Sequence, residues 1–268
     1  MGAADTVPGV SGGTIAFVTN IYEELIQSIQ RCNVQALRLL FTQGFLSAWT
    51  YINGNFLLTL FAGIVFAALL LARAVTFLLA NYEHQVMAFF IGLILASSLF
   101  LRKQINSWPM LRVSWLLLGV LAAILINFLP QGAVHTAPWF IFCSGAIAIC
   151  AMILPGISGA FILVLLGSYE TILLALRELD FGLLAVFVAG CALGLISFSN
   201  LLAFLLRVHH ENTMAFLLGI LLGSVYGLLP QDYFQLQVSV SSWTLFFVLT
   251  MIGFVLVYAL EVFTNKRA

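Results

Sequence analysis

Val7-Pro8-Gly9-Val10-Ser11-Gly12-Gly13-Thr14 stands near the start of the chain and returns, altered, as Leu154-Pro155-Gly156-Ile157-Ser158-Gly159-Ala160-Phe161. Proline lacks a donor N–H and disfavours helix in the residue before it, and glycine opens backbone shapes that other residues avoid. Each copy is therefore a helix-breaking, amide-rich turn in otherwise apolar surroundings. The sequence is 63% hydrophobic and 7% charged, too apolar for a soluble domain. Several stretches reach the roughly 20 apolar residues that cross a bilayer. In lipid, irregular backbone is tolerated only where protein buries it or where it lines a cavity. The chain reads as an all-α polytopic membrane protein whose helices bring the two turns together.

Working outward, the first turn opens an apolar helix from about Thr14 to Ile29, and residues 30–54 form an interfacial amphipathic helix and a loop. Spans are predicted at 55–79, 86–101 and 113–130, with loops at 80–85 and 102–112. After a loop at 131–137, Pro138–Met152 leads into the second turn, which opens a helix to about Leu176. Further spans are predicted at 183–206, 213–229 and 242–261, with a loop at 207–212.

The similarity extends beyond the turns. Pro8, Gly9, Ser11, Gly12, Ile15, Tyr22 and Glu23 match Pro155, Gly156, Ser158, Gly159, Ile162, Tyr169 and Glu170 at an offset of 147. After residue 54 the offset becomes 127: Ala62-Gly63 matches Ala189-Gly190, and Met87-Ala88-Phe89 matches Met214-Ala215-Phe216. The change places an insertion at about 30–54 and divides the chain into repeats 1–130 and 131–268 within one membrane domain. Arg102, Lys103 and Arg112 mark the 102–112 loop as cytoplasmic, as do Arg207 for its loop and Lys266 and Arg267 for the tail. The loops at 80–85, 131–137 and 230–241 hold no Lys or Arg and fall outside. Loop 80–85 and its counterpart 207–212 then lie on opposite sides, so the repeats have inverted topology. Pro138–Leu176 must enter and return on one side, as a re-entrant hairpin with the Pro-Gly turn at its tip or as two full spans. The hairpin is favoured, giving each repeat one hairpin and three transmembrane helices. Only six residues precede Val7, so a shortened first arm is expected.

Two tips entering from opposite faces would meet near the bilayer centre, where inverted-repeat transporters hold their substrates. Helix N-termini there favour an anion. Gly12, Gly13 and Gly159 would let it approach the backbone, and Ser11, Thr14 and Ser158 would donate hydroxyls. The alternative is that these small residues simply permit close helix packing. Glu23 and Glu170, with Asp5, are candidates for proton or cation coupling, supported by Tyr22 and Tyr169; interfacial tyrosines beside solvated acids are the plainer reading. Arg73, aligned with Asn200, would face an anionic headgroup or snorkel to the interface. His84, His135, His209 and His210 map to loops as exposed residues, and Cys32, Cys143, Cys150 and Cys191 read as small buried hydrophobes. No metal-ligand spacing is present, and no cofactor is expected.

The two turns with their Tyr-Glu pairs, over nearly the whole chain, resemble the PopT family of bacterial membrane proteins. That resemblance implies a lipid transporter rather than an enzyme: a flippase returning undecaprenyl phosphate from the outer to the inner leaflet of the cytoplasmic membrane for reuse in envelope synthesis and peptidoglycan recycling. The headgroup would then lie against Pro8, Gly9, Ser11, Gly12, Gly13, Thr14, Pro155, Gly156, Ser158, Gly159 and Arg73, with alternating access moving it. The partners expected are the polyprenyl-phosphate lipid and the membrane, not nucleic acid, with a homodimer left open. Two other readings stand beside it: a small-anion permease, and an intramembrane prenyl-pyrophosphate phosphatase. Against the phosphatase, Gly12 and Gly159 follow the serines where an arginine would clamp phosphate, and no His lies near.

Overall fold

A computed structural model describes residues 1–2, 11–103, 105–130, 132, 134, 136–229 and 240–265, apart from some side chains within the helices. The described residues form helices and no strands. In order they are α1 (Gly12–Val18), α2 (Tyr22–Gln30), α3 (Val34–Gln43), α4 (Phe45–Tyr51), α5 (Gly54–Arg102), α6 (Met110–Asn127), α7 (Pro138–Ile153), α8 (Gly159–Leu165), α9 (Tyr169–Glu178), α10 (Phe181–Val208), α11 (His210–Leu228) and α12 (Val240–Asn265).

Among the described residues, four segments are long and apolar enough to cross a membrane: Phe77–Arg102, Met110–Asn127, Phe181–Val208 and His210–Leu228. Two bent pairs add to them, α4 with Gly54–Ala67 at 72° and α8 with α9 at 107°. Large apolar side chains such as Phe247, Val248, Met251 and Val255 on α12 stand more than half exposed. A water-facing surface of that kind would aggregate, whereas a lipid-facing one needs no cover. The chain is a multi-pass membrane protein.

Several predicted boundaries are corrected. The helix expected from Thr14 to Ile29 is broken into α1 and α2, because Asn20 takes a left-handed φ of 59°. The helix expected after the second turn breaks likewise into α8 and α9 at Gly167, φ 67°. The loops predicted at 80–85 and 207–212 are single-residue breaks, at Tyr82 (φ −140°, ψ 38°) and His209 (φ −129°, ψ 44°). Asn20 and Gly167 differ by 147, and Tyr82 and His209 by 127, the two offsets of the sequence matches. The insertion at 30–54 forms two helices, of which α3 buries no residue. Cys150 and Cys191 are half-buried, but Cys32 and Cys143 are exposed.

Chain contacts divide the molecule into two compact units. The first comprises Met1–Ala68 and Leu129–His210, the second Leu69–Phe128 and Glu211–Ala268. In the first, α7 runs against α10. A Cβ added at Gly190 would lie 2.0 Å from the Phe142 carbonyl oxygen, and one at Gly194 2.4 Å from that of Ala146. These helices touch backbone to backbone, the packing that small residues permit where lipid supplies no hydrophobic drive between helices. The second unit repeats the device: Gly92 and Gly253 face backbone across α5 and α12, and Gly119 and Gly219 across α6 and α11.

Gly190→Val should therefore lower the thermal midpoint of the detergent-solubilised protein, since overpacking costs about 1–3 kcal/mol or more and a helix backbone cannot step aside. Gly63→Val is the matched control, because an added Cβ there meets nothing within 4 Å. Equal midpoints for the two variants would contradict the seam.

Candidate functional site

The first unit holds both turns, and it brings them into contact. Pro155 has no N–H to continue a helix and holds Leu154 in extended geometry (φ −65°, ψ 133°), so α7 ends at Ile153. Gly156 then takes φ 86°, a conformation glycine adopts without steric cost. The carbonyl of Met152 and the N–H of Gly156 find partners across the unit. Ser11 Oγ donates to the Met152 carbonyl at 2.8 Å, and Thr14 Oγ1 accepts the Gly156 N–H at 2.8 Å. Both hydroxyl residues are almost wholly buried, Ser11 at 1% and Thr14 at 2% exposed. Ser11 also caps α1, its Oγ accepting the Gly13 N–H at 3.0 Å, and Ser158 caps α8 with a longer contact of 3.5 Å from Phe161 N.

The glycines complete this stitch. A Cβ at Gly13 would lie 2.5 Å from the Ile153 carbonyl oxygen, and one at Gly159 3.0 Å from that of Ala148. Close packing and close ligand approach were the two readings of these glycines, and here Gly13 and Gly159 serve packing. Pro155 and Gly156 are buried, while Ser158 is half-buried. Asp5, Pro8 and Gly9 lie outside the described residues, as does the side chain of Arg73 on α5.

The Tyr-Glu pairs have unlike surroundings. Tyr22 is 2% exposed, its ring edge-on to Phe17 at 4.7 Å, and its hydroxyl has no hydrogen-bond partner among the described residues. A buried hydroxyl left unpaired costs about 1–3 kcal/mol. Tyr169 and Glu170 are exposed, and so is Asn200. Glu23 meets His210 Nε2 at 2.8 Å, which corrects the reading of His210 as a loop residue facing solvent alone. Glu24 accepts from Asn53 Nδ2 at 2.8 Å. Sequence reasoning missed one further link, the buried contact of 2.8 Å between Ser144 and Ser168 hydroxyls, which ties α7 to the α8–α9 corner. In the second unit Arg112 pairs with Glu211, and an apolar groove of about 600 Å³ is lined by Leu95, Leu99, Leu218 and Phe254, with Arg102 and Trp108.

Such an arrangement defines an integral membrane protein with two polar turns joined inside an apolar helical unit. A family described as VCA0040-like, undecaprenyl phosphate translocase-like, matches residues 1–245. The chain is 40% identical over 293 aligned positions to a polyprenyl-phosphate transporter of Vibrio cholerae, covering 99% of this chain and 94% of the relative. It is 31% identical over 273 positions to a polyprenyl-phosphate transporter of Staphylococcus aureus, covering 95% and 90%. No solved structure matches it. The chain belongs to the undecaprenyl phosphate translocase-like family, as the resemblance of the two turns implied. Both relatives are named as transporters and neither as an enzyme.

Thr14→Val would leave the Gly156 N–H buried without an acceptor. The expected loss is about 1–3 kcal/mol of stability, seen as a lower thermal midpoint, with Thr14→Ser close to wild type. A valine variant as stable as wild type would show that the turns are not joined through this bond.

Proposed function

We propose that this chain is a polyprenyl-phosphate transporter that returns undecaprenyl phosphate from the outer to the inner leaflet of the bacterial cytoplasmic membrane. The observation that carries the substrate class is the 40% identity over 99% of the chain to a protein so named. Direction, membrane and route are the reading's own.

The route follows from the stitched turns. Each donates to a neutral oxygen: Gly156 N–H to Thr14, and Ser11 O–H to Met152. A phosphate oxyanion competes for the same donors, and charge-assisted hydrogen bonds are roughly twice as strong as neutral ones. A headgroup arriving there would take over both donors and part the turns, while the prenyl chain stays in lipid. Binding and opening become one event, which is what alternating access requires. The recurrence of the breaks at Asn20 and Gly167, and at Tyr82 and His209, supports two repeats, 1–130 and 131–268. In this reading they are inverted, with re-entrant hairpins. The 16 residues of α7 reach about 24 Å, short of a hydrocarbon core of roughly 30 Å, which supports the hairpin. Glu23, held by His210, is the coupling candidate of the first repeat, and Glu170 of the second.

Purified protein in liposomes tests this directly. Inward movement of labelled undecaprenyl phosphate should exceed that in empty vesicles. Ser11→Ala should slow it roughly fivefold, the equivalent of losing one hydrogen bond of about 1 kcal/mol. No acceleration by folded protein would overturn the proposal.

A further inference from the structure

A second polar feature of the first unit lies apart from the turns. Glu23, Gln27, Gln30 and Arg31 fall at helical spacing along one face of α2. That face lines a cleft of about 330 Å³ against α10, whose contribution includes Arg207 over a floor of Ala203 and Leu206. The size is near the lower end of small-ligand pockets, roughly 300–1,000 Å³.

The charges in this cleft are unusually arranged. The chain has 10 Lys and Arg in 268 residues, and two of them face this one cleft. Neither Arg31 nor Arg207 has an ion-pair partner among the described residues, whereas Arg112 is paired with Glu211. Glu23 lines the same cleft, and its carboxylate Oε1 is engaged by His210 Nε2 at 2.8 Å. Arg31 caps the end of α2 and Arg207 lies in the last turn of α10. Cations are favoured at helix C-termini, which accounts for each arginine on its own helix. It does not account for two unpaired arginines lining one cleft whose carboxylate, that of Glu23, is engaged by His210. Two guanidinium groups offer planar, forked donors that match phosphate oxygens two at a time. The amides of Gln27 and Gln30 add neutral donors beside them.

We propose that the α2–α10 cleft is a binding site for a phosphate monoester or inorganic phosphate, clamped by Arg31 and Arg207. The proposal stands on the cleft's own residues and does not need the transport reading. The ligand chemistry is a phosphate dianion, which a lipid headgroup and a free ion both present.

Arginine footprinting on the full-length wild-type protein in detergent tests it. The rate at which phenylglyoxal modifies each arginine is read by peptide mass spectrometry, with inorganic phosphate, farnesyl phosphate or farnesol present. Arg31 and Arg207 should react at least fivefold more slowly with a phosphate probe, while Arg38 on α3 keeps its rate. Protection by both phosphate probes supports a site for the free anion, and protection by farnesyl phosphate alone supports a lipid headgroup. The R31Q/R207Q double variant should then bind the protecting probe at least tenfold more weakly. The proposal is overturned if no phosphate probe slows either arginine, or if farnesol protects as well as farnesyl phosphate. It is overturned equally if Arg38 is slowed to the same extent. Because the footprint is read on wild-type protein, it holds whether or not the double variant folds, and transport failing in liposomes would leave it untouched.

Discussion

Thr14 and Ser11 supply hydrogen bonds that Pro155 takes away. A proline-glycine turn inside an apolar bundle leaves backbone carbonyls and amides without helical partners, and in lipid no water replaces them. The missing partners come from more than 140 residues away in sequence, from the N-cap and first turn of α1. The reverse also holds. Ser11 could cap α1 at any surface, but its own proton needs an acceptor, and the broken end of α7 provides one. Each turn thus completes the other, and neither is satisfied alone.

The remainder of the first unit sets the distance at which this exchange is possible. Gly190 and Gly194 let α10 approach α7 to backbone contact, and Gly13 lets α1 reach the last carbonyls of α7. Small residues at the seams do what a hydrophobic core does in water, except that the gain is packing rather than burial. A joint made of two hydrogen bonds to neutral oxygens is also one that an anion can undo. The proposed transport route therefore runs through the turns.

Much of this was legible in the residues. Pro155-Gly156 announces a break, its apolar surroundings announce a membrane, and the offset of 147 anticipates the spacing of the breaks at Asn20 and Gly167. The element type was legible nearly everywhere. What escaped was the fine division of helices. Asn20 and Gly167 break helices that hydropathy reads as continuous, because a single left-handed residue leaves no trace in an apolar average. Tyr82 and His209 did the opposite: polar neighbours suggested loops where one residue's dihedrals suffice. Partners distant in sequence were also hidden. Nothing near Glu23 points to His210, 187 residues on. Arg207 looked like a marker of the cytoplasmic side, and only the cleft it shares with Arg31 suggests more. For Gly13 and Gly159 the residue type allowed either packing or ligand approach, and the distances to Ile153 and Ala148 show the packing.

The central claim is that the headgroup of a polyprenyl phosphate reaches the joined turns. Photolabelling the protein in liposomes with a short-chain prenyl phosphate carrying a diazirine beside the phosphate tests this most directly, with labelled peptides mapped by mass spectrometry. The expected result is label on both turns, in residues 7–14 and 154–161, competed away by undecaprenyl phosphate. Label confined to lipid-facing helix surfaces, with none on either turn, would contradict it.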